Sequence, residues 1–232
     1  MKIVVVLPAY NCEKTLAYTL ADIPKRIVDE ILLVDDCSKD STYKVAKELG
    51  IKHILKHKRN LGYGANQKSC YRLALSLNAD VVIMLHPDYQ YSPKLISDIV
   101  NRIKDDAKIV FCSRMLNGKE AIRNGMPIYK YYANRFLTIF QNLLLNKKMS
   151  EYHTGYRAYS KDVLLSINYE ELSNDFIFDN QMILEAFKHG YDITEIYCPA
   201  KYEKESSSIN LVRSIKYGLL VIYNTLIYKF IK

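Results

Sequence analysis

Two apolar runs that stop abruptly on carboxylates constrain this chain more than any other feature. Ile31-Leu32-Leu33-Val34 opens into Asp35-Asp36-Cys37-Ser38-Lys39-Asp40-Ser41, and Val81-Val82-Ile83-Met84-Leu85 opens into His86-Pro87-Asp88-Tyr89-Gln90-Tyr91. Continuous apolar runs are the pattern of parallel strands buried on both faces. Open α/β sheets bind their ligands outside the carboxyl ends of such strands. An isolated carboxylate is costly to desolvate, so two acidic clusters at one sheet edge imply a partner there: ribose hydroxyls, a divalent cation, or both. The pattern points to nucleotide chemistry.

Apolar runs and helical patterns alternate through the first half. Strands are expected at Ile3 to Leu7, Ile31 to Val34, His53 to Leu55, Val81 to Leu85 and Ile109 to Ser113. Helices are expected at about Glu13 to Asp22, Thr42 to Leu49, Gly64 to Leu77 and Pro93 to Lys104. Strand and helix in strict turn imply right-handed crossovers and a parallel sheet. Ser92-Pro93 supplies an N-cap serine and a first-turn proline, holding the preceding Asp88–Gln90 loop short. The second half is less regular: a loop at Gly118 to Pro127, an aromatic helix from about Tyr129 to Leu145, a helix from Phe178 to His189 and a strand from Ile193 to Cys198. The expected organisation is one α/β domain over residues 1–209, with a nucleotide-binding half (1–115) and an acceptor half (116–209), followed by a C-terminal amphipathic helix over 210–232.

At 232 residues, 49% hydrophobic and 25% charged, the chain has the length and composition for one cored domain rather than a disordered one. Its five cysteines are odd in number and lack any C-x-x-C pair, which argues against a disulfide framework or a zinc site and for a reducing, cytoplasmic setting. The apolar N-terminus is too short for a signal peptide. A formal charge of +8 suits an anionic partner, but the basic residues are dispersed, which disfavours nucleic acid. The charge-free stretch from Tyr217 to Tyr228 is shorter than the ~20 residues a spanning helix needs. It suits a helix lying in a membrane interface, with Lys216, Lys229 and Lys232 near head groups. It equally suits a helix packed on the domain or against a second copy in a homodimer.

No G-x-x-x-x-G-K-[ST] is present, which excludes a P-loop, and Pro8-Ala9-Tyr10-Asn11 stands where a dinucleotide fold needs a glycine-rich turn. Taken in order, the remaining motifs closely resemble the inverting glycosyltransferases of family two, with the GT-A fold. They are Leu7-Pro8-Ala9-Tyr10-Asn11 with Glu13, the Asp35–Ser41 segment, Asn60-Leu61-Gly62-Tyr63-Gly64-Ala65, the strand end at Asp88, Ser113-Arg114, Glu151 to Ala158 and Lys204 to Ile209. The branch of dolichyl-phosphate mannose synthase and related polyprenyl-phosphate glycosyltransferases is the most similar. The resemblance implies a mostly parallel central sheet flanked by helices. Pro8, Ala9, Tyr10, Glu13, Asp35, Asp36, Asn60, Gly62 and Lys68 would serve the nucleotide sugar. Asp36 is preferred as a ligand, and Asp40 as a helix cap.

By the same resemblance Asp88 is the second acid of the family's D-x-D motif, and Asp88 and Gln90 would hold Mg²⁺ or Mn²⁺. His86 departs from the pattern at the first acid. Arg114, Arg135, Arg157 and Lys204 are candidates for the diphosphate or an anionic acceptor. Glu151 and Asp179 are the acids aligned with the acceptor side, and Gln181 occupies the more usual acid position. A lipid phosphate is ionised near neutral pH and needs only positioning, whereas a sugar hydroxyl needs a general base. Gln181 tilts the expectation toward polyprenyl phosphate, over a glycan hydroxyl. A sugar-nucleotide-binding protein without transferase activity is the reading from another class. The expected location is cytoplasmic, peripheral on the inner membrane face.

Overall fold

Seven consecutive buried residues, Ile3–Ala9, form β1 near the middle of a seven-stranded sheet. The computed structural model describes residues 1–199, 202 and 211–231. With β2 (Glu30–Asp35), β3 (His53–Lys56), β4 (Val81–Met84), β5 (Ile109–Ser113), β6 (Arg157–Ser160) and β7 (Thr194–Tyr197), the order across the sheet is β3-β2-β1-β4-β6-β5-β7. All neighbours are parallel except β6, which runs antiparallel to both β4 and β5. The chain leaves β1 toward β2 and β3, then returns to β1's other side with β4. That reversal opens a crevice beside the carboxyl end of β1.

Side-chain alternation along β1 feeds both faces of the sheet: Val4 and Val6 join one buried cluster, Ile3, Val5 and Leu7 the other. Covering helices are α1 (Leu16–Asp22), α2 (Thr42–Glu48), α3 (Tyr63–Ser76), α4 (Ile96–Lys104), α5 (Glu120–Arg123), α6 (Ile128–Leu145), α7 (Lys161–Ser166), α8 (Phe178–Lys188) and α9 (Leu211–Phe230). The family's expected mixed α/β architecture and C-terminal helix are both present. β6 and β7 come from residues 116–209, expected as an acceptor half, but complete the same sheet as β1–β5.

Three local expectations change. The first helix begins at Leu16 instead of Glu13, because Cys12 to Thr15 form a turn in which the Thr15 and Leu16 amides both donate to the Cys12 carbonyl. The expected loop from Gly118 to Pro127 contains the single helical turn α5. β6 is a strand that pattern reading misses, since Arg157-Ala158-Tyr159-Ser160 is short and unalternating. It is extended because pairing on both sides satisfies its backbone.

Candidate active site

The register pairs Ala9 with Asp35 and Val6 with Met84, so the loops leaving β1, β2 and β4 emerge at one edge. β6 opposes them and starts where they end, with Arg157 opposite both Met84 and Phe111. The segment from Glu151 to Tyr156 is thereby delivered to that edge, beside Arg114 at the end of β5. Each of the three loops after β1, β2 and β4 contains a non-glycine residue with left-handed backbone: Asn11 (φ 51°), Cys37 (φ 60°) and Tyr89 (φ 57°). Strain of this kind persists where surrounding structure fixes it, and it gathers at binding sites.

On the β1–β2 side, Pro8 and Ala9 are buried at the strand end and Tyr10 is 47% exposed. Glu13 accepts the Ser41 amide at 2.8 Å, while Asp40 accepts the Thr42 amide at 3.0 Å and so caps α2. Asp35 is fully buried and accepts the Ser38 amide at 2.9 Å; its Oδ2 has no hydrogen bond and lies 3.8 Å from Lys56 Nζ. Asp36, expected as a nucleotide ligand, is bound by protein groups. Its carboxylate takes the Leu61 and Gly62 amides at 2.8 and 3.0 Å and sits 2.7 Å from His57 Nδ1, so it shapes the next loop. Asn60 donates to the Asp36 carbonyl at 3.1 Å. Lys68 is likewise internal, bound to the Glu170 carbonyl at 2.9 Å and Asn174 Oδ1 at 2.8 Å. A side chain on Gly62 (φ 101°) would bring its Cβ within 2.6 Å of the Asn174 carbonyl oxygen. Residues 60–64 and 173–174 therefore close against each other.

In the β4 loop, the Gln90 amide donates to Asp88 Oδ1 at 3.1 Å. His86, in the first-acid position, turns to Tyr63: its Nε2 lies 3.1 Å from the Tyr63 hydroxyl, which donates to Asp179 Oδ2 at 2.7 Å. Burial holds the His86 pKa below 6.5, against the pull of Asp88 and Asp179, and the ring is neutral at pH 7. Burial, then Asp179, pushes the Tyr63 hydroxyl well above 10, so it stays a proton donor. Gly155 lets the β6 approach pass close, since a Cβ there would lie 2.9 Å from the His86 ring. Among the described residues no three His, Cys, Asp or Glu side chains cluster as a ready-made metal cage. One carboxylate beside a neutral imidazole fits instead a hard cation that arrives with phosphate oxygens, the way Mg²⁺ is usually held.

On the β5–β6 side, Glu151 is fully buried and clasped by Arg114 through the backbone amide (3.0 Å), Nε (3.2 Å) and Nη2. Asn134 of α6 adds a bond at 2.8 Å. Burial alone would raise the Glu151 pKa, but the Arg114 charge and hydrogen bonds outweigh it and hold the carboxyl below its ordinary value. Arg114 also donates to the His153 carbonyl at 3.0 Å and the Tyr202 hydroxyl at 3.1 Å. Asp179 accepts from Gln67 at 3.0 Å as well as from Tyr63. Arg157, expected as a phosphate candidate, is 1% exposed, donates to the Thr154, Asp179 and Tyr152 carbonyls and lies over the Phe111 ring. Arg135 reaches the Ser150 carbonyl at 3.4 Å. Lys204 lies outside the described residues.

The structure adds Tyr63, Gln67, Asn134, His153 and Tyr217 to this neighbourhood, the last with its hydroxyl 2.9 Å from His153 Nδ1. Tyr63 and Gln67 were findable in the sequence: four residues apart on one helix, they share a face and both hold Asp179.

With this geometry in place, the similarity to known proteins becomes specific. The chain is 28% identical to the UDP-N-acetylglucosamine–dolichyl-phosphate N-acetylglucosaminyltransferase of Methanococcus voltae, covering 98% of this chain and 96% of that protein. It is 24% identical to polyprenol monophosphomannose synthase of Mycolicibacterium smegmatis, over 83% of this chain and 74% of that one. Crystal structures of glucosyl-3-phosphoglycerate synthase from Mycobacterium tuberculosis share the fold: the UDP complex superposes with a TM-score of 0.75 at 18% identity, covering 98% of this chain and 79% of that one. Another complex of that enzyme contains Mn²⁺, UDP and phosphoglyceric acid. The family model described as glycosyl transferase family 2 matches residues 4–167, which takes in every strand-end loop described above. The chain belongs to glycosyl transferase family 2.

Proposed function

We propose that this enzyme transfers a hexose-type sugar, with inversion, from a nucleotide diphosphate sugar to polyprenyl phosphate at the inner face of the cytoplasmic membrane. The observation that carries the acceptor is the state of the two acceptor-side acids. Glu151 is held ionised by Arg114, and both Asp179 oxygens already accept hydrogen bonds. Neither is set up to take a proton from a hydroxyl, which a sugar acceptor requires. A phosphate monoester arrives ionised near neutral pH. The lipid acceptors in the names of the M. voltae and M. smegmatis relatives support the same reading, and the free state of all five cysteines suits a reducing compartment.

In this reading a phosphate oxygen of the acceptor forms a bond to the anomeric carbon as the bond from that carbon to the diphosphate breaks, and the nucleoside diphosphate leaves. Tyr10 and Asp35 hold the nucleoside, while the Asn60–Gly62 loop, braced by Asp36 and Lys68, closes beside it. Asp88 and Gln90 would hold Mn²⁺ or Mg²⁺, which would supply neutralisation of the leaving diphosphate. Arg114 orients the acceptor phosphate through its fork of donors, exchanging part of its grip on Glu151 for it. The test is to incubate purified protein with a panel of sugar nucleotides, Mn²⁺ and polyprenyl phosphate, and to look for a lipid-linked sugar by thin-layer chromatography. Product formed only on glycan hydroxyls overturns the acceptor assignment.

A further inference from the structure

α6 and α9 are built inside out. Asn134, Thr138 and Gln141 of α6 are buried against the domain, while every exposed residue of this 18-residue helix is apolar, among them Ile128 (63% exposed), Tyr132 (61%), Phe136 (62%), Ile139 (53%) and Leu143 (78%). α9 repeats the inversion. It turns Tyr217, Asn224 and Thr225 inward onto His153, Gln181 and Gln141, and leaves Leu219 (63%), Tyr223 (60%) and Leu226 (39%) facing out. Gln141 meets Thr225, and Leu137 packs with Val221, so the helices lie side by side and parallel, their outer rows forming one surface. At 1.5 Å per residue that surface is about 27 Å long. A soluble domain ordinarily turns such helices the other way, and an apolar patch of this extent marks a partner.

We propose that the joint outer face of α6 and α9 docks on an anionic lipid bilayer. The proposal rests on the lipid-acceptor reading and names the surface that serves it. Charge selects the occupant. No Asp or Glu occurs between Glu120 and Glu151 or after Glu205. Exposed Arg213 and Lys216 stand at one end of the pair, and Lys148 and Lys229 at the other. An apolar strip framed by cations matches acyl chains bordered by acidic head groups. A second copy docking on the same face would bring Lys216 of one helix pair against Lys148 and Lys229 of the other, like charge against like. Among the described residues no helix is long and apolar enough to cross a membrane, so the pair lies on the surface. Tyr217 to His153 on α9 and Asn134 to Glu151 on α6 are direct bonds to the acceptor-side cluster, so that cluster sits one helix layer behind the docked face.

The experiment is co-sedimentation of the full chain with vesicles of phosphatidylcholine, with and without phosphatidylglycerol and free of any polyprenyl phosphate. The wild type is compared with Tyr132→Ser/Phe136→Ser/Leu219→Ser/Tyr223→Ser, whose fold is checked by circular dichroism and melting. The expected result is binding at least tenfold stronger to the phosphatidylglycerol vesicles, weakening with salt, and at least tenfold weaker for the fourfold variant. Lys216→Gln/Lys229→Gln is expected to lose the preference for phosphatidylglycerol. Equal sedimentation of the wild type and a folded fourfold variant overturns the proposal, as does a wild-type dimer that the four substitutions dissociate without changing vesicle binding. Because the vesicles carry no acceptor, a protein that docks but glycosylates no polyprenyl phosphate leaves this surface standing and removes only the acceptor assignment.

Discussion

Replacing Glu151 with glutamine tests how the Arg114–Glu151 clasp is held together. In the native protein Oε2 accepts the Arg114 amide and Nε, and Oε1 accepts Arg114 Nη2 and Asn134 Nδ2. Glutamine keeps one of these oxygens and turns the other into an N–H₂ group that faces donors. Two hydrogen bonds to a charged acceptor are lost, and Arg114, whose side chain is 12% exposed, is left as a buried cation without its counter-ion. Breaking one partner of a buried pair costs about 3–5 kcal/mol. For a chain of this size each kcal/mol moves Tm by roughly 2–4 °C, so the variant is expected to melt about 10 °C lower at pH 7. The pH dependence has a fixed sign. The Glu151 pKa is lowered on folding, so its contribution is complete above the unfolded carboxyl value near 4.3 and fades as pH falls through the lower folded value. Wild-type and variant melting temperatures, followed by calorimetry from pH 7 to pH 3, therefore converge in acid. A difference under 3 °C at pH 7, or one that persists undiminished at pH 3, refutes the clasp. The double variant with Arg114→Met is expected to recover part of the loss, since it removes the stranded charge.

Burial lowers the His153 imidazole to about 4, so it is neutral where the unfolded chain, near 6.5, begins to charge. Stability should fall by something on the order of 3 kcal/mol as pH drops from 6.5 to 4; an NMR titration of this ring with a midpoint above 6 contradicts the assignment. Gly64→Ala would drive a Cβ into the Ser173 carbonyl oxygen and to 2.8 Å from Phe178 Cβ; the expected loss is at least about 2 kcal/mol in urea unfolding, and a neutral result means residues 173–178 yield. Asp88→Asn should leave Tm within a degree or two but weaken Mn²⁺-dependent nucleotide binding at least tenfold by calorimetry, and unchanged binding removes Asp88 from the donor site.

The strand–helix alternation and the acid-terminated runs were legible because burial on both faces of a parallel sheet writes itself as continuous apolar sequence, as at Ile31–Val34 and Val81–Leu85. The positions of Asp88, Arg114 and Glu151 at one edge follow from that. What stayed hidden depends on contacts far apart in sequence. The protein partners of Asp36 and Arg157 could not be read from a list of charged residues, because only the folded chain brings those groups near. β6 has no period of its own to show, and its identity is set by the two neighbours that flank it. The aromatic content of α6 was visible, but which way its tyrosines face was not, because an inverted helix has the same period as an ordinary one.

The reversed strand has a consequence for how such enzymes can be rebuilt. β6 is stitched between β4 and β5, so residues 1–115 and 116–209 are not separable modules. A chimera spliced after Ser113 would exchange the middle of its own sheet, and both bordering strands would have to accept a foreign pairing partner. Graftable specificity is expected instead in the stretch between β5 and β6 and in the C-terminal helix, which can be traded without unpicking the backbone that joins the halves.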